Sequence, residues 1–287
     1  MTEFLEALRD PLFPFLRYSL TVGLLASVAF GILGSYVVVR RVTYLADAIA
    51  HCVLGGIGAA LFLNWNLGLT WVHPMLGAVV VAVLAALGIG LISLYARERE
   101  DTVISVVWVL GMAVGLLLLE RLDTPPGQAP VEPMSYLFGD ILLISKRDLW
   151  LVLGLDAVIL AIVILFRNKL LAVCFDEEFA TLRGVHSPFY YLLLLCLVAV
   201  TVVLLVRVVG MLLVVAMMAL PAATGGFFGR RLWQMMVAAV VCCAVLMALG
   251  LAVSFTYELR TGPTVIVLAG AAYLITAALS RMAHIRA

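Results

Sequence analysis

The sequence predicts an all-α, polytopic membrane protein with about eight or nine transmembrane helices, and three observations carry that prediction. Apolar residues fill 65% of the 287 positions and charged residues only 12%, more hydrocarbon than the surface of a soluble globule can hide. Apolar runs of the roughly 20 residues needed to cross a bilayer recur from Tyr18 to the C-terminus. Arginines and lysines are scattered at the ends of those runs, and the net charge is only +1, so the basic residues report topology rather than a nucleic-acid surface. Helices follow because lipid cannot satisfy an exposed backbone.

The apolar segments extend from Tyr18 to Val39, Tyr44 to Leu63, Val72 to Tyr95, Thr102 to Leu119, Leu149 to Phe166, Pro188 to Val206, Val208 to Phe228, Leu232 to Val253 and Pro263 to Leu279. Together they make residues 1–287 one transmembrane domain. Whether Val206 to Gly210 is a turn or part of one broken helix is open, and this leaves the choice between eight and nine spans. Met1 to Asp10 carries Glu3, Glu6 and Asp10 instead of a basic leader with a short apolar core, so no cleavable export signal is expected. Alternating the sides groups Arg40, Arg41, Arg97, Arg99, Arg167, Lys169, Arg183, Arg230, Arg231, Arg281 and Arg286 on one face. The excess of positive charge makes that face cytoplasmic, with the N-terminus outside and the C-terminus inside.

Two connections stand out. Glu120 to Pro133 holds Pro125, Pro126, Pro130 and Pro133, which forbid a helix and call for an extended external loop. Met134 to Ser145 then follows, too short to span, as a re-entrant or half-helical piece that must pack in protein or line a cavity. The second connection, residues 174–187, reads CFDEEFATLRGVHS. Asp176 suits a helix N-cap, Glu177 and Glu178 suit the positive end of the helix dipole, Phe179 and Leu182 give one apolar side, and Gly184 can end the helix. A short amphipathic helix on the cytoplasmic side is the expectation.

Asp47 and His51, four residues apart at the start of the second span, share one helix face, so a carboxylate and an imidazole can converge on one ion. A charge at that depth costs roughly 2.5 kcal/mol or more, which marks an intramembrane pair as a functional candidate. Oxygen with neutral imidazole suits zinc and also accepts manganese or iron. The alternative is that the two only pair with each other, or with Arg40 or Arg41. Asp140 is a further acid that can complete a site, and Glu120 reads as a helix cap. His73, His186 and His284 read as solvated or interfacial, and Pro221 as a packing kink or a gate. Cys52, Cys174, Cys196, Cys242 and Cys243 form no C-x-x-C pair and read as small hydrophobes, with Cys52 alone beside the candidate site.

No G-x-x-x-x-G-K-[ST] loop and no H-E-x-x-H helix is present. The chain therefore offers no phosphate cradle and no zinc-peptidase base, and any ATP belongs to a partner. It reads as a transporter component rather than an enzyme.

Five pieces, in order, resemble the permease subunits of bacterial ABC importers for zinc, manganese and iron, nearest the zinc-uptake branch: GSYVVVRRVTYLADAIAHCVLGG (Gly34 to Gly56), SYLFGDILLIS (Ser135 to Ser145), FDEEFATLRGV (Phe175 to Val185), VVGMLLVVAMMALPAAT (Val208 to Thr224) and TGPTVIVL (Thr261 to Leu268). The resemblance implies an ABC importer permease bundle in the bacterial cytoplasmic (inner) membrane, with two copies of the subunit around a central pathway. It implies ATP-binding cassette ATPase subunits beneath and a periplasmic or surface metal-binding protein outside. The metal is the substrate, zinc first and manganese or iron next, with no covalently bound cofactor. Asp47 and His51 fall on the family's metal-pathway positions. Phe175, Asp176, Glu177, Glu178, Phe179 and Gly184 fall on the segment that couples to the ATPase. The competing class is an ion-coupled secondary metal transporter, which calls for uptake without an ATPase and commonly for an internal repeat.

Overall fold

The computed structural model describes residues 14–69, 71–96, 99–122, 146–229 and 231–285. Among the described residues there are ten helices: α1 Pro14–Arg40, α2 Tyr44–Trp65, α3 Pro74–Tyr95, α4 Glu100–Glu120, α5 Lys146–Phe175, α6 Glu177–Leu182, α7 Ser187–Val209, α8 Met211–Phe228, α9 Leu232–Thr256 and α10 Thr261–Ile285. Among the described residues, nine of these are long and apolar enough to cross a membrane; α6 is the exception. The Pro-rich segment, the piece around Asp140 and the N-terminal residues ahead of Pro14 lie outside the described residues.

The choice between eight and nine spans is settled by one glycine. Gly210 takes φ +91° between α7 and α8, a conformation that side chains disfavour, so the two helices are distinct although both flanks are apolar. The span expected to end at Phe166 instead runs on to Phe175. Arg167 and Lys169 are exposed and project from a continuing helix, with Lys169 Nζ 5.2 Å from the centre of the Tyr190 ring; long basic side chains extend a helix past the apolar boundary without ending it. Pro221 lies inside α8, which continues through it.

The described residues fall into two compact units. One contains α1, the first part of α5 and α8 to α10. Here α9 packs on α1, and α8 on α1, α9 and α10. Gly34 lies against the Met218 carbonyl and Gly31 against the Val240 backbone. Phe30, Leu33 and Tyr36 fill the interior.

The other unit contains α2 to α4, the end of α5, α6 and most of α7. Its centre is α2, which packs on α3 and α4. Gly111 and Gly115, four apart on α4, make the approach possible. A Cβ on Gly115 would stand 2.7 Å from the Gly55 nitrogen, and one on Gly111 would meet Cys52. Helices in lipid gain association from close backbone packing of this kind. The result is uneven enclosure: 78% of the α2 span is buried in protein, against 17% for α4. Outward residues such as Leu84, Ile164 and Leu117 are apolar and exposed, as a lipid-facing surface requires.

Candidate metal-transport site

Asp47 lies in the first turn of α2, where the helix dipole favours a negative charge. Its neighbours Leu45, Ala46, Ala48, Ile49 and Ala50 are buried. Asp47 and His51 are the partly open positions of this stretch, with side chains 26% and 17% exposed. The pair therefore occupies the most enclosed of the spans and still keeps an opening.

His51 Nδ1 lies 2.9 Å from the main-chain oxygen of Asp47. A carbonyl only accepts, so Nδ1 carries the hydrogen and Nε2 keeps its lone pair in the neutral ring. Asp47 Oδ1 lies 3.3 Å from the same Nδ1. Trp108 of α4 meets the imidazole in a T-shaped contact, with ring centroids 5.5 Å apart and planes at 69°. A carboxylate and an imidazole nitrogen thus stand together where a cation can be shared.

Other candidates separate from this pair. Cys52 is 3% exposed, with Sγ 3.5 Å from the Val107 carbonyl, so its thiol is spent in the α2/α4 contact. Glu120 is the exposed last residue of α4 and caps nothing; the C-cap bonds come from the Arg121 backbone N–H. Its expected capping role fails because a carboxylate has no donor for the free carbonyls at that end. All five cysteines are free. His73 is the N-cap of α3, its Nδ1 accepting from the Met75 N–H at 3.3 Å. Asp140 lies outside the described residues. Among the described residues, no group of three or more His, Cys, Asp or Glu could hold a metal.

Within the segment from Phe175 to Gly184, Glu177–Leu182 form α6, about a turn and a half. Asp176 Oδ1 accepts from the Phe179 N–H at 2.9 Å, and Gly184 takes φ +78° just past the end. Phe175 and Phe179 are exposed, and Leu182 is 87% exposed. Only Ala180 is buried. The Ser187 and Thr181 hydroxyls, 2.8 Å apart, both reach the Glu177 carbonyl, which fastens α6 to the start of α7.

Three features escaped the sequence. Trp108 lies inside an apolar run, and only the fold brings it to His51. Tyr191, 1% exposed, donates to Glu100 Oε1, which also accepts from Ser93. Asp156, 4% exposed in α5, has neither carboxylate oxygen hydrogen-bonded, with the Ala29 backbone nearby. A lone acid in the run LVLGLDAVIL was the available signal for Asp156.

Comparison with known proteins gives the fold and the family. One chain of the structure of PsaBC from Streptococcus pneumoniae in complex with Fab superimposes with a TM-score of 0.80 at 28% identity, covering 96% of this chain and 94% of that one. An uncharacterized membrane protein of Synechocystis is 36% identical over 94% of this chain and 92% of its own length. The manganese transport system membrane protein MntC of Halalkalibacterium halodurans is 31% identical over 60% of this chain and 56% of its own. The chain spans about half the length of several curated relatives that it matches. The profile of the ABC 3 transport family matches residues 12–280, nearly the whole described bundle, and the chain belongs to that family.

Proposed function

We propose that this chain is the membrane permease of an ATP-driven importer that carries a divalent transition metal into a bacterial cytoplasm, and that Asp47 and His51 hold the ion in passing. The observation that carries this proposal is the pairing of a carboxylate and an imidazole, partly open, on the most enclosed span. One imidazole and one carboxylate make an incomplete coordination set. Water or a second copy of the chain supplies the remaining ligands, and incompleteness suits a site that must release what it binds.

The importer would work by alternating access. A loaded metal-binding protein delivers the ion from outside to a cavity between two copies of the chain. ATPase subunits seat on the exposed Phe175 at the end of α5 and on Phe179 and Leu182 of α6, and their closure moves α6 and the α7 helix fastened to it. An apolar, capped helix in a partner's groove is a common mode of recognition. The donor set lacks sulfur and takes manganese as well as zinc. Manganese in the name of a relative supports it beside zinc.

The test is reconstitution with ATPase subunits in vesicles, following Mn2+ and Zn2+ uptake in competition. Uptake should require ATP and should fall sharply in Asp47→Ala and His51→Ala at equal protein levels. Uptake driven by an ion gradient without ATP would replace this mechanism with secondary transport.

A further inference from the structure

The imidazole of His51 is constrained on two sides by different helices. Its own helix takes the Nδ1 hydrogen on the Asp47 carbonyl. From α4, Trp108 stands against the ring in T-shaped contact at 5.5 Å. Turning the ring over about its Cβ–Cγ bond would put Cδ2–H where Nδ1–H now meets the carbonyl, forfeiting that hydrogen bond and carrying both nitrogens to the other edge of the ring. The indole adds an edge-to-face aromatic contact to that restraint.

The placement of Trp108 is itself fixed by packing. Gly111 follows it by three residues and lies on Cys52, the neighbour of His51, while Gly115 lies on the Gly55 backbone. Because backbone meets backbone along this seam, α4 cannot slide or withdraw without opening a gap. The tryptophan thus reaches the ring from a rigid support, as an oriented ligand needs.

We propose that Trp108 is a positioning residue for the cation site, holding His51 so that Nε2, and not Nδ1, is the nitrogen presented to the metal. The inference rests on the assignment of Asp47 and His51 as that site. Trp108 need not touch the ion. It acts by keeping one nitrogen bare and aimed, which lowers the ordering cost at the moment of binding.

The experiment compares Trp108→Leu and Trp108→Phe with the native protein in the complete transporter, ATPase subunits included, with Mn2+ and Zn2+ as probes. The Leu variant should raise the cation concentration for half-maximal uptake by about tenfold, the size typical of lost outer-shell support, with little change in maximal rate. The Phe variant, which keeps a ring, should recover most of that loss. An unaltered half-maximal concentration in Trp108→Leu, or a Phe variant as impaired as the Leu variant, overturns the proposal. His51→Ala in the same vesicles separates the two claims. If it abolishes uptake while Trp108→Leu changes nothing, positioning alone falls; if it leaves uptake intact, the site itself falls. Nitrogen-15 spectra of histidine-labelled native protein give a reading that needs no folded variant. A bare Nε2 on His51 is expected, and a bare Nδ1 overturns the proposal.

Discussion

The buried phenol of Tyr191 donates to Glu100 at 3.0 Å, tying α7 to the first turn of α4. Ser187, one turn earlier on α7, holds α6, and Trp108, about two turns further along α4, touches His51. Proposed ATPase contact and proposed metal site therefore share one hydrogen-bonded helix pair.

Tyr191→Phe removes that joint and little volume. A hydrogen bond to a carboxylate is worth roughly 1.5–3 kcal/mol, and less where the acid is partly exposed as Glu100 is. A modest fall in thermal midpoint is expected. In reconstituted vesicles ATP hydrolysis should persist while metal uptake per ATP drops several-fold; an unchanged ratio means that the joint carries no motion.

Gly115→Ala should be severe. The new methyl would press on the Gly55 backbone, which cannot yield as a side chain does, and overpacking costs about 1–3 kcal/mol or more. Gly154→Ala is the control, since nothing lies within 4 Å of its Cβ position, and it should be neutral or stabilising by about 0.5–1 kcal/mol through helix propensity. Thermal unfolding in detergent of both variants checks the contrast.

Sequence reading succeeded where a residue acts through its neighbours along the chain. Asp176 capping α6 and Gly184 past its end are local devices, visible within the nine residues from Asp176 to Gly184. Asp47 and His51 likewise needed only helical spacing to be placed side by side. Trp108 shows the opposite case: in an apolar run that is hydrophobic all round, no periodicity marks which face meets a partner. Gly210 was ambiguous because hydropathy does not dip at a break made by one backbone angle. Phe166 looked like an end because charge was read as water, whereas the helix carries its charges out with it.

Asp156→Leu should stabilise the protein. An unsatisfied buried polar group costs about 1–3 kcal/mol, and an apolar branch of similar shape removes that cost. A raised thermal midpoint is expected, and a lowered one would mean that the carboxyl is hydrogen-bonded within the folded chain.

Asp176→Ala should fray α6, at a cost of about 1 kcal/mol for a lost N-cap, and weaken copurification with the ATPase. Asp176→Asn, which can still accept from the Phe179 N–H, should copurify nearly as well as the native chain.

The length of α5 has a mechanical consequence. Thirty helical residues rise roughly 45 Å along the helix axis, against about 30 Å of hydrocarbon. Leaning alone would need close to 50°, beyond the usual range of about 0–40° for membrane helices. An overhang on the Phe175 side would hold the turn that bears Phe179 and Leu182 past the acyl chains, because α6 begins directly after that end with only Asp176 between. A soluble motor can grip it there without dipping into lipid.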